Sequence, residues 1–110
     1  MVRDILTVIE DKKGSDILVL DIREISLLAD CFVICTAETS RQLKAIADSL
    51  VPEMKNRGLL SLGGIEGSLD SGWVLVDFGD IVVHLFSPQQ RDFYALDKLW
   101  KEAKVVVHIQ

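Results

Sequence analysis

Two aspartates and a histidine in the C-terminal half are the first residues that could carry chemistry. Asp77 and Asp80 flank Phe78-Gly79, and His84 follows four residues later. Paired carboxylates can hold the metal ions of a nucleotidyltransferase when they project together from one strand, as in an Asp-x-Asp pair. The chain has no Asp-x-Asp pair, and Asp80 is expected in a turn. We therefore predict neither a metal site nor a catalytic carboxylate.

His84 and the two cysteines do not suggest catalysis either. His84 would lie diagonally across a hairpin from Asp77, within hydrogen-bond reach, but no nucleophile motif accompanies the pair. Cys31 and Cys35 are four residues apart in one expected strand, which separates their Cα atoms by about 13 Å and rules out a disulfide. We predict buried free thiols, a reducing cytoplasmic location, no cofactor and no enzymatic activity.

The segment from Trp73 to Phe86 is expected to position these groups as a β-hairpin with Gly79-Asp80 as its two-residue loop. Alternation along paired strands then sorts its residues onto two faces. The core face is entirely apolar and contains Val74, Val76, Phe78, Ile81, Val83 and Leu85. The second face is mixed and contains Trp73, Leu75, Asp77, Val82, His84 and Phe86.

The second face has the composition of a protein-binding patch, since aromatic residues stand beside polar ones. Trp73 and Phe86 are the expected hydrophobic anchors, with Leu75 and Val82 beneath them and Asp77 accepting hydrogen bonds from a basic partner. Two alternatives stay open from the residues alone. A helix of the same chain could cover this face, or a second copy could pack on it as a homodimer.

The remaining pattern predicts one α/β domain over residues 1–110, with a mixed β-sheet and helices. Cys31 to Thr36 is continuously apolar and is expected as a central strand. Thr39 and Gln42 form a capping box before a helix that Gly58 ends, and Pro52 predicts a bend or break near residues 48–51. A short strand is expected within residues 59–65.

The last part of the chain predicts another helix and an uncertain tail. Ser87, Pro88 and Gln90 have the types expected at a helix start. The apolar stripe of that helix would contain Phe93, Leu96, Leu99, Trp100 and Ala103. Residues 105–109 are either an edge strand or a frayed end.

Composition narrows the class of partner. The 110 residues are 49% hydrophobic and 26% charged, with a net charge of -5. This balance is typical of a globular domain, and the negative charge disfavours sequence-specific nucleic-acid binding and favours a basic protein. We expect no membrane association, because no apolar run approaches the roughly 20 residues of a membrane helix.

The sequence resembles the ribosomal silencing factor family, also called Iojap-like, over about nine-tenths of its length. The matching segments are Ala29 to Thr36, Ser40 to Asp48, Glu66-Gly67, Trp73 to Phe86 and Arg91 to Trp100. The resemblance implies a nucleotidyltransferase-like fold without the catalytic residues. One departure is Ala37, where the family often has glycine after the threonine; it weakens any idea of a phosphate loop there.

The resemblance also implies a function and a set of site residues. The family is understood to bind the large ribosomal subunit through ribosomal protein L-fourteen, to block joining of the small subunit, and often to form homodimers. Trp73 falls at the family's partner-facing tryptophan, and its signature positions are occupied by Asp77, Asp80, His84, Arg91 and Tyr94. The competing hypothesis is a nucleotide-binding or nucleotidyl-transferring enzyme with its site near Thr39, Ser40 and Asp77.

Overall fold

Six strands form one mixed sheet in the computed structural model, which describes residues 2–24, 26–27, 29–68, 70–94 and 104–109. The strands are β1 (Ser15–Asp21), β2 (Cys31–Thr36), β3 (Ile65–Ser68), β4 (Trp73–Asp77), β5 (Ile81–Phe86) and β6 (Lys104–Ile109). Their order across the sheet is β3-β4-β5-β2-β1-β6. Neighbouring strands β2 and β5 run parallel, and the other neighbours run antiparallel. The predicted α/β class with a mixed sheet is confirmed.

Two helices cover one face of this sheet. Helices α1 (Val2–Asp11) and α2 (Ser40–Asn56) bury their apolar stripes against it. The resulting core includes Ile5 and Ile9 from α1, Leu43 and Ile46 from α2, and the core face of the β4–β5 hairpin. Thr39 caps α2 as predicted, since its hydroxyl oxygen accepts a hydrogen bond from the Gln42 N–H at 3.1 Å.

A smaller apolar cluster occupies the opposite face. It contains Leu18, Leu20, Ile22, Ala29, Ile34 and Phe86. Ile22 and Ala29 come from the two ends of the connection between β1 and β2, so both ends pack on the sheet, whereas Leu27 between them is fully exposed. The second face is therefore partly covered by the chain itself.

The predicted hairpin register is confirmed. Trp73 pairs with Phe86, Leu75 with His84, and Asp77 with Val82. Gly79 has a φ of 89°, a conformation that only glycine adopts without strain, and the Phe78 N–H closes the turn on the Ile81 carbonyl at 2.9 Å. The sorting of this segment into two faces follows directly from the alternation in its sequence.

Of the bend or break predicted near residues 48–51 the break is absent, and the strand predicted within residues 59–65 lies further along the chain. Helix α2 continues through Pro52 without a break. Pro52 lies on the exposed side of the helix, where water can replace the lost backbone hydrogen bond. The strand expected within residues 59–65 begins only at Ile65, because the apolar Leu59 packs against the core and does not join a strand.

The C-terminal tail is resolved in favour of an edge strand, because β6 pairs with β1. Helix α3 (Pro88–Tyr94) begins at Pro88 as predicted, and the Ser87 hydroxyl accepts a hydrogen bond from the Gln90 N–H. The predicted stripe residues Leu96, Leu99, Trp100 and Ala103 lie outside the described residues. Within the described ranges, no helix is long and apolar enough to cross a membrane.

Candidate functional site

Four aromatic rings from three adjacent strands meet on the second face. Trp73 stacks on Phe86 with ring centroids 5.2 Å apart, and the Trp73 and His84 centroids are 6.0 Å apart. The Phe32 ring meets His84 edge to face at 4.6 Å. We call these residues the aromatic cluster. It exists because Trp73, His84, Phe86 and Phe32 all alternate to the same side of β4, β5 and β2.

A hydrogen bond ties the two polar members of the cluster together. The Trp73 indole Nε1–H donates to His84 Nδ1 at 3.2 Å. Nδ1 must be unprotonated to accept this bond, so the neutral ring carries its proton on Nε2. Nε2 is buried and has no hydrogen-bond partner among the described residues. Burial lowers the pKa of His84 to about 4, which keeps the ring neutral near pH 7.

The expectation that Phe86 is an exposed anchor is wrong. Its side chain is 0% exposed and belongs to the cluster beneath the second face. The alternation correctly places Phe86 on that face, but its side chain is buried in an apolar cluster with residues of β1, β2 and the β1–β2 connection. Trp73 is only partly buried, so it is the aromatic residue of this pair that reaches the surface.

The other predicted face residues keep part of their surface exposed. Leu75, Asp77 and Val82 are all half-buried. Asp77 and His84, expected within hydrogen-bond reach of each other, have other partners: the Asp77 carboxylate accepts from the Gly79 N–H at 2.7 Å, and His84 bonds to Trp73. The tight turn places that backbone N–H nearer to Asp77 than the histidine on the facing strand.

A groove of about 320 Å³ borders this surface at the sheet edge. Its lining residues are Glu66, Gly67, Ser71, Trp73 and Leu75. Glu66 pairs with Leu75 across β3 and β4, which puts the exposed Glu66 carboxylate on the second face. Trp73 and Leu75 thus form an apolar floor, with Glu66 beside Leu75 on β3 and Asp77 next to Leu75 along β4.

Asp80 lies away from the aromatic cluster. It is exposed in the hairpin loop, and its backbone carbonyl accepts from the Asp30 and Cys31 N–H groups at 2.8 and 3.0 Å. This contact fixes the start of β2 next to the start of β5. The position therefore has a clear backbone role in the fold.

Arg91 has structural contacts that the sequence did not reveal. Its side chain is 9% exposed, and Nη1 donates to the Asp16 carbonyl at 2.9 Å and to the Thr36 hydroxyl at 3.0 Å. Nη2 lies 3.6 Å from the Asp16 carboxylate. The Arg91 contacts connect α3 to β1 and β2, so the geometry favours a structural role for Arg91. Tyr94 is the last described residue of α3, and its side chain lies outside the described part.

The residues of the competing nucleotide site are not brought together. Thr39 follows the end of β2 that lies beside Phe86, whereas Asp77 pairs with Val82 at the other end of β5. Four strand residues separate these ends by about 13 Å. Among the described residues, no group of three or more histidine, cysteine or acidic side chains could hold a metal ion.

Both cysteines are buried, as their place in a central strand predicts. Cys31 and Cys35 carry free thiols. Burial raises the pKa of Cys31 to about 11 and that of Cys35 to about 12. Neither thiol is therefore ionised at neutral pH, as a nucleophile or metal ligand would have to be.

A family model and individual relatives all relate this chain to ribosomal factors of one kind. The family model "Ribosomal silencing factor during starvation" matches residues 1–110. The ribosomal silencing factor RsfS of Bacillus subtilis is 43% identical over 94 residues, which cover 86% of this chain and 79% of that protein. A mouse protein named for mitochondrial assembly of the ribosomal large subunit is 33% identical over 98 residues, covering 87% of this chain and 43% of that protein.

A solved structure agrees with these sequence matches. The crystal structure of a Chromobacterium violaceum protein has a TM-score of 0.86 and 37% identity, and the alignment covers 91% of this chain and 82% of that one. Structural similarity therefore extends over about nine-tenths of this chain. The chain belongs to the ribosomal silencing factor family.

Proposed function

We propose that this protein binds the large ribosomal subunit through ribosomal protein L-fourteen and sterically prevents the small subunit from joining, which lowers translation when nutrients are limited. It would act by occupying a surface, without catalysis, in the cytoplasm. Family membership supports the translational role, and the name of the mouse relative refers to the large subunit.

The observation that carries the proposal is that Trp73 is partly exposed and held in place by its neighbours. Its indole is half-buried, hydrogen-bonded to His84 and stacked on the fully buried Phe86. A large aromatic side chain held in one orientation at the surface is typical of an interface hot spot, because little conformational entropy is lost when a partner covers it. Leu75 extends the apolar area along β4 toward the turn, and Val82 lies further along the same face on β5.

The charges around Trp73 favour a basic partner. Glu66 and Asp77 lie next to the apolar floor formed by Trp73 and Leu75, and the whole chain has a net charge of -5. Carboxylates at the rim of a patch speed association with a positively charged surface and disfavour acidic competitors. Ribosomal proteins that contact ribosomal RNA carry basic surfaces for the same electrostatic reason.

Sedimentation with purified ribosomal subunits tests the proposal. We expect the protein to migrate with large subunits, and an excess of it to reduce formation of whole ribosomes from the two subunits. Trp73→Ala should weaken large-subunit binding by about 30-fold or more, which corresponds to a hot spot of about 2 kcal/mol. The far-ultraviolet circular dichroism of this variant should match that of the parent.

Val106→Ala is the matched control. Val106 is a 60% exposed apolar residue on β6, at the opposite edge of the sheet from the β3–β4 groove. Its truncation should leave binding within about twofold, as for surface substitutions outside an interface. Normal co-sedimentation of Trp73→Ala would show that the proposed surface is wrong, and subunit joining that is unaffected by bound protein would reject the blocking mechanism.

Self-association is a separate proposal. We propose a homodimer because the family resemblance implies one. Light scattering over a range of concentrations measures the mass directly. A monomer at every concentration would reject the dimer without affecting the ribosome proposal.

A further inference from the structure

We propose that His84 is a positioning residue that holds the Trp73 indole in the orientation presented to the partner, and that it does so without contacting the partner. The inference rests on the proposed function of the Trp73 surface. It assigns to His84 a different role from that of Trp73, although both belong to the aromatic cluster.

Two contacts with other described residues restrain the Trp73 ring. His84 Nδ1 accepts the indole N–H at 3.2 Å, and the Phe86 ring lies against the indole at 5.2 Å with an interplanar angle of 25°. Stacking on Phe86 limits the tilt of the indole but permits sliding within the plane. The hydrogen bond adds a directional restraint at the nitrogen edge, so the two contacts together favour a single rotamer.

His84 itself is held rigidly enough to serve as the fixed point. Its ring is 4% exposed, packs edge to face on Phe32 at 4.6 Å, and lies nearly parallel to Phe86. Burial also keeps the ring neutral, so Nδ1 stays an acceptor at physiological pH. This acceptor gives the indole N–H a specific partner.

Burial also separates the role of His84 from direct contact. A side chain with 4% of its surface exposed offers almost no area to a docking protein. Trp73, which lies diagonally across the strand pair from it, retains exposed surface. The effect of His84 on binding should therefore pass through the indole N–H and disappear when that N–H is removed.

A double-mutant cycle on purified large ribosomal subunits tests this route. In the parent, His84→Leu should weaken binding by about threefold to tenfold, the cost of ordering one side chain on binding. Trp73→Phe removes the indole donor, and in that background His84→Leu should change affinity by less than about twofold. Equal weakening in both backgrounds would overturn the proposal, since His84 would then act independently of the indole N–H.

A direct measurement on the free protein does not depend on the ribosome. The Trp73 indole N–H resonance, assigned by its loss in Trp73→Phe, should exchange with solvent at least about tenfold more slowly in the parent than in His84→Leu. Equal exchange rates in the parent and in His84→Leu would overturn the proposal that His84 positions the indole. His84→Asn offers an amide oxygen near the position of Nδ1 and should restore binding to within about threefold of the parent.

The combined outcomes separate the two proposals. Slow solvent exchange of the Trp73 indole N–H, together with absence of large-subunit binding, would support the positioning of Trp73 by His84 and reject the proposed function. If His84→Leu fails to fold, the cycle is run with His84→Asn and His84→Gln, whose amides differ in reach. If His84→Asn then bound large subunits no better than His84→Gln, with Trp73 present in both, the result would overturn the positioning role of His84.

Discussion

Trp73 and Phe86 lie directly opposite each other on β4 and β5 with their rings stacked, yet Phe86 is completely buried and Trp73 is not. The pair therefore connects the interior of the second face to its surface. Phe86 is packed in the interior, and Trp73 supplies the exposed aromatic surface next to it. This division predicts different consequences for truncating the two residues.

Phe86→Ala should lower the free energy of unfolding by about 3–5 kcal/mol, because it leaves a cavity in the cluster with Leu20 and Ile34. Trp73→Ala should cost clearly less stability, since part of the indole is already in water. Urea denaturation of both variants measures the difference. Equal losses of stability would contradict the assignment of Phe86 to the interior and Trp73 to the surface.

The buried His84 predicts a dependence of stability on pH. The folded-state pKa is lowered from 6.5 to about 4, so the unfolded chain binds a proton more readily between these values. The contribution of the neutral ring is complete above pH 6.5 and is lost as the pH falls toward 4, by up to about 3 kcal/mol.

Denaturation at pH 7.5 and pH 4.5 should reveal this loss. Comparing His108→Gln with the double variant His108→Gln/His84→Leu leaves His84 as the only histidine that differs. The fall in stability between the two pH values should be smaller in the double variant. An identical fall in both would show that His84 does not titrate differently on folding.

The sequence predicted the hairpin and its register well because these depend on local patterns. Alternation from Trp73 to Phe86 and the Gly79-Asp80 turn signal are contained in fourteen consecutive residues. The burial of Phe86 could not be predicted in the same way. It depends on β1 and on Ile22 and Ala29, which lie more than 50 residues earlier in the chain.

The site residues show the same limit. The sequence placed Asp77, one diagonal neighbour of His84, within hydrogen-bond reach, and the bond is formed with Trp73, the other diagonal neighbour. Alternation gives both candidates equal standing, and only the turn geometry, which engages Asp77 with the Gly79 N–H, decides between them. The contacts of Arg91 with Asp16 and Thr36 span 75 and 55 residues and leave no local signal.

Arg91 should prove important for stability. Arg91→Lys keeps the charge but offers one nitrogen, on a shorter side chain, where Arg91 has Nη1 on the Asp16 carbonyl and the Thr36 hydroxyl and Nη2 beside the Asp16 carboxylate, so a loss of about 2–4 kcal/mol is expected. Arg57→Lys is the matched control, because the Arg57–Asp4 pair is about 40% exposed and should be worth less than about 1 kcal/mol. Equal losses of stability for the two variants in urea denaturation would contradict the role of Arg91 in holding α3 against β1 and β2.

The two thiols should react slowly in the folded protein. Raising the pKa of Cys31 from 9.0 to about 11 lowers its thiolate fraction at pH 8 roughly a hundredfold, and Cys35 falls further. A colorimetric disulfide reagent should therefore label neither cysteine quickly until urea is added. Rapid labelling of either thiol in native buffer would contradict its burial.

Gly67 links the edge strand to the position of Trp73. It lies in β3 with a φ of 91°, and a Cβ added there would stand about 2.4 Å from the Trp73 carbonyl oxygen, a backbone atom that can move only if β4 shifts. Gly67→Ala should therefore lower stability by about 1–3 kcal/mol and also weaken large-subunit binding, because it displaces the Trp73 backbone. Gly63→Ala is the control, since its Cβ would meet only the Glu66 carboxylate at an ordinary 3.7 Å. Unchanged binding by Gly67→Ala, measured by sedimentation below its melting temperature, would show that the partner tolerates movement of β4. The rigid presentation of Trp73 would then have to be abandoned.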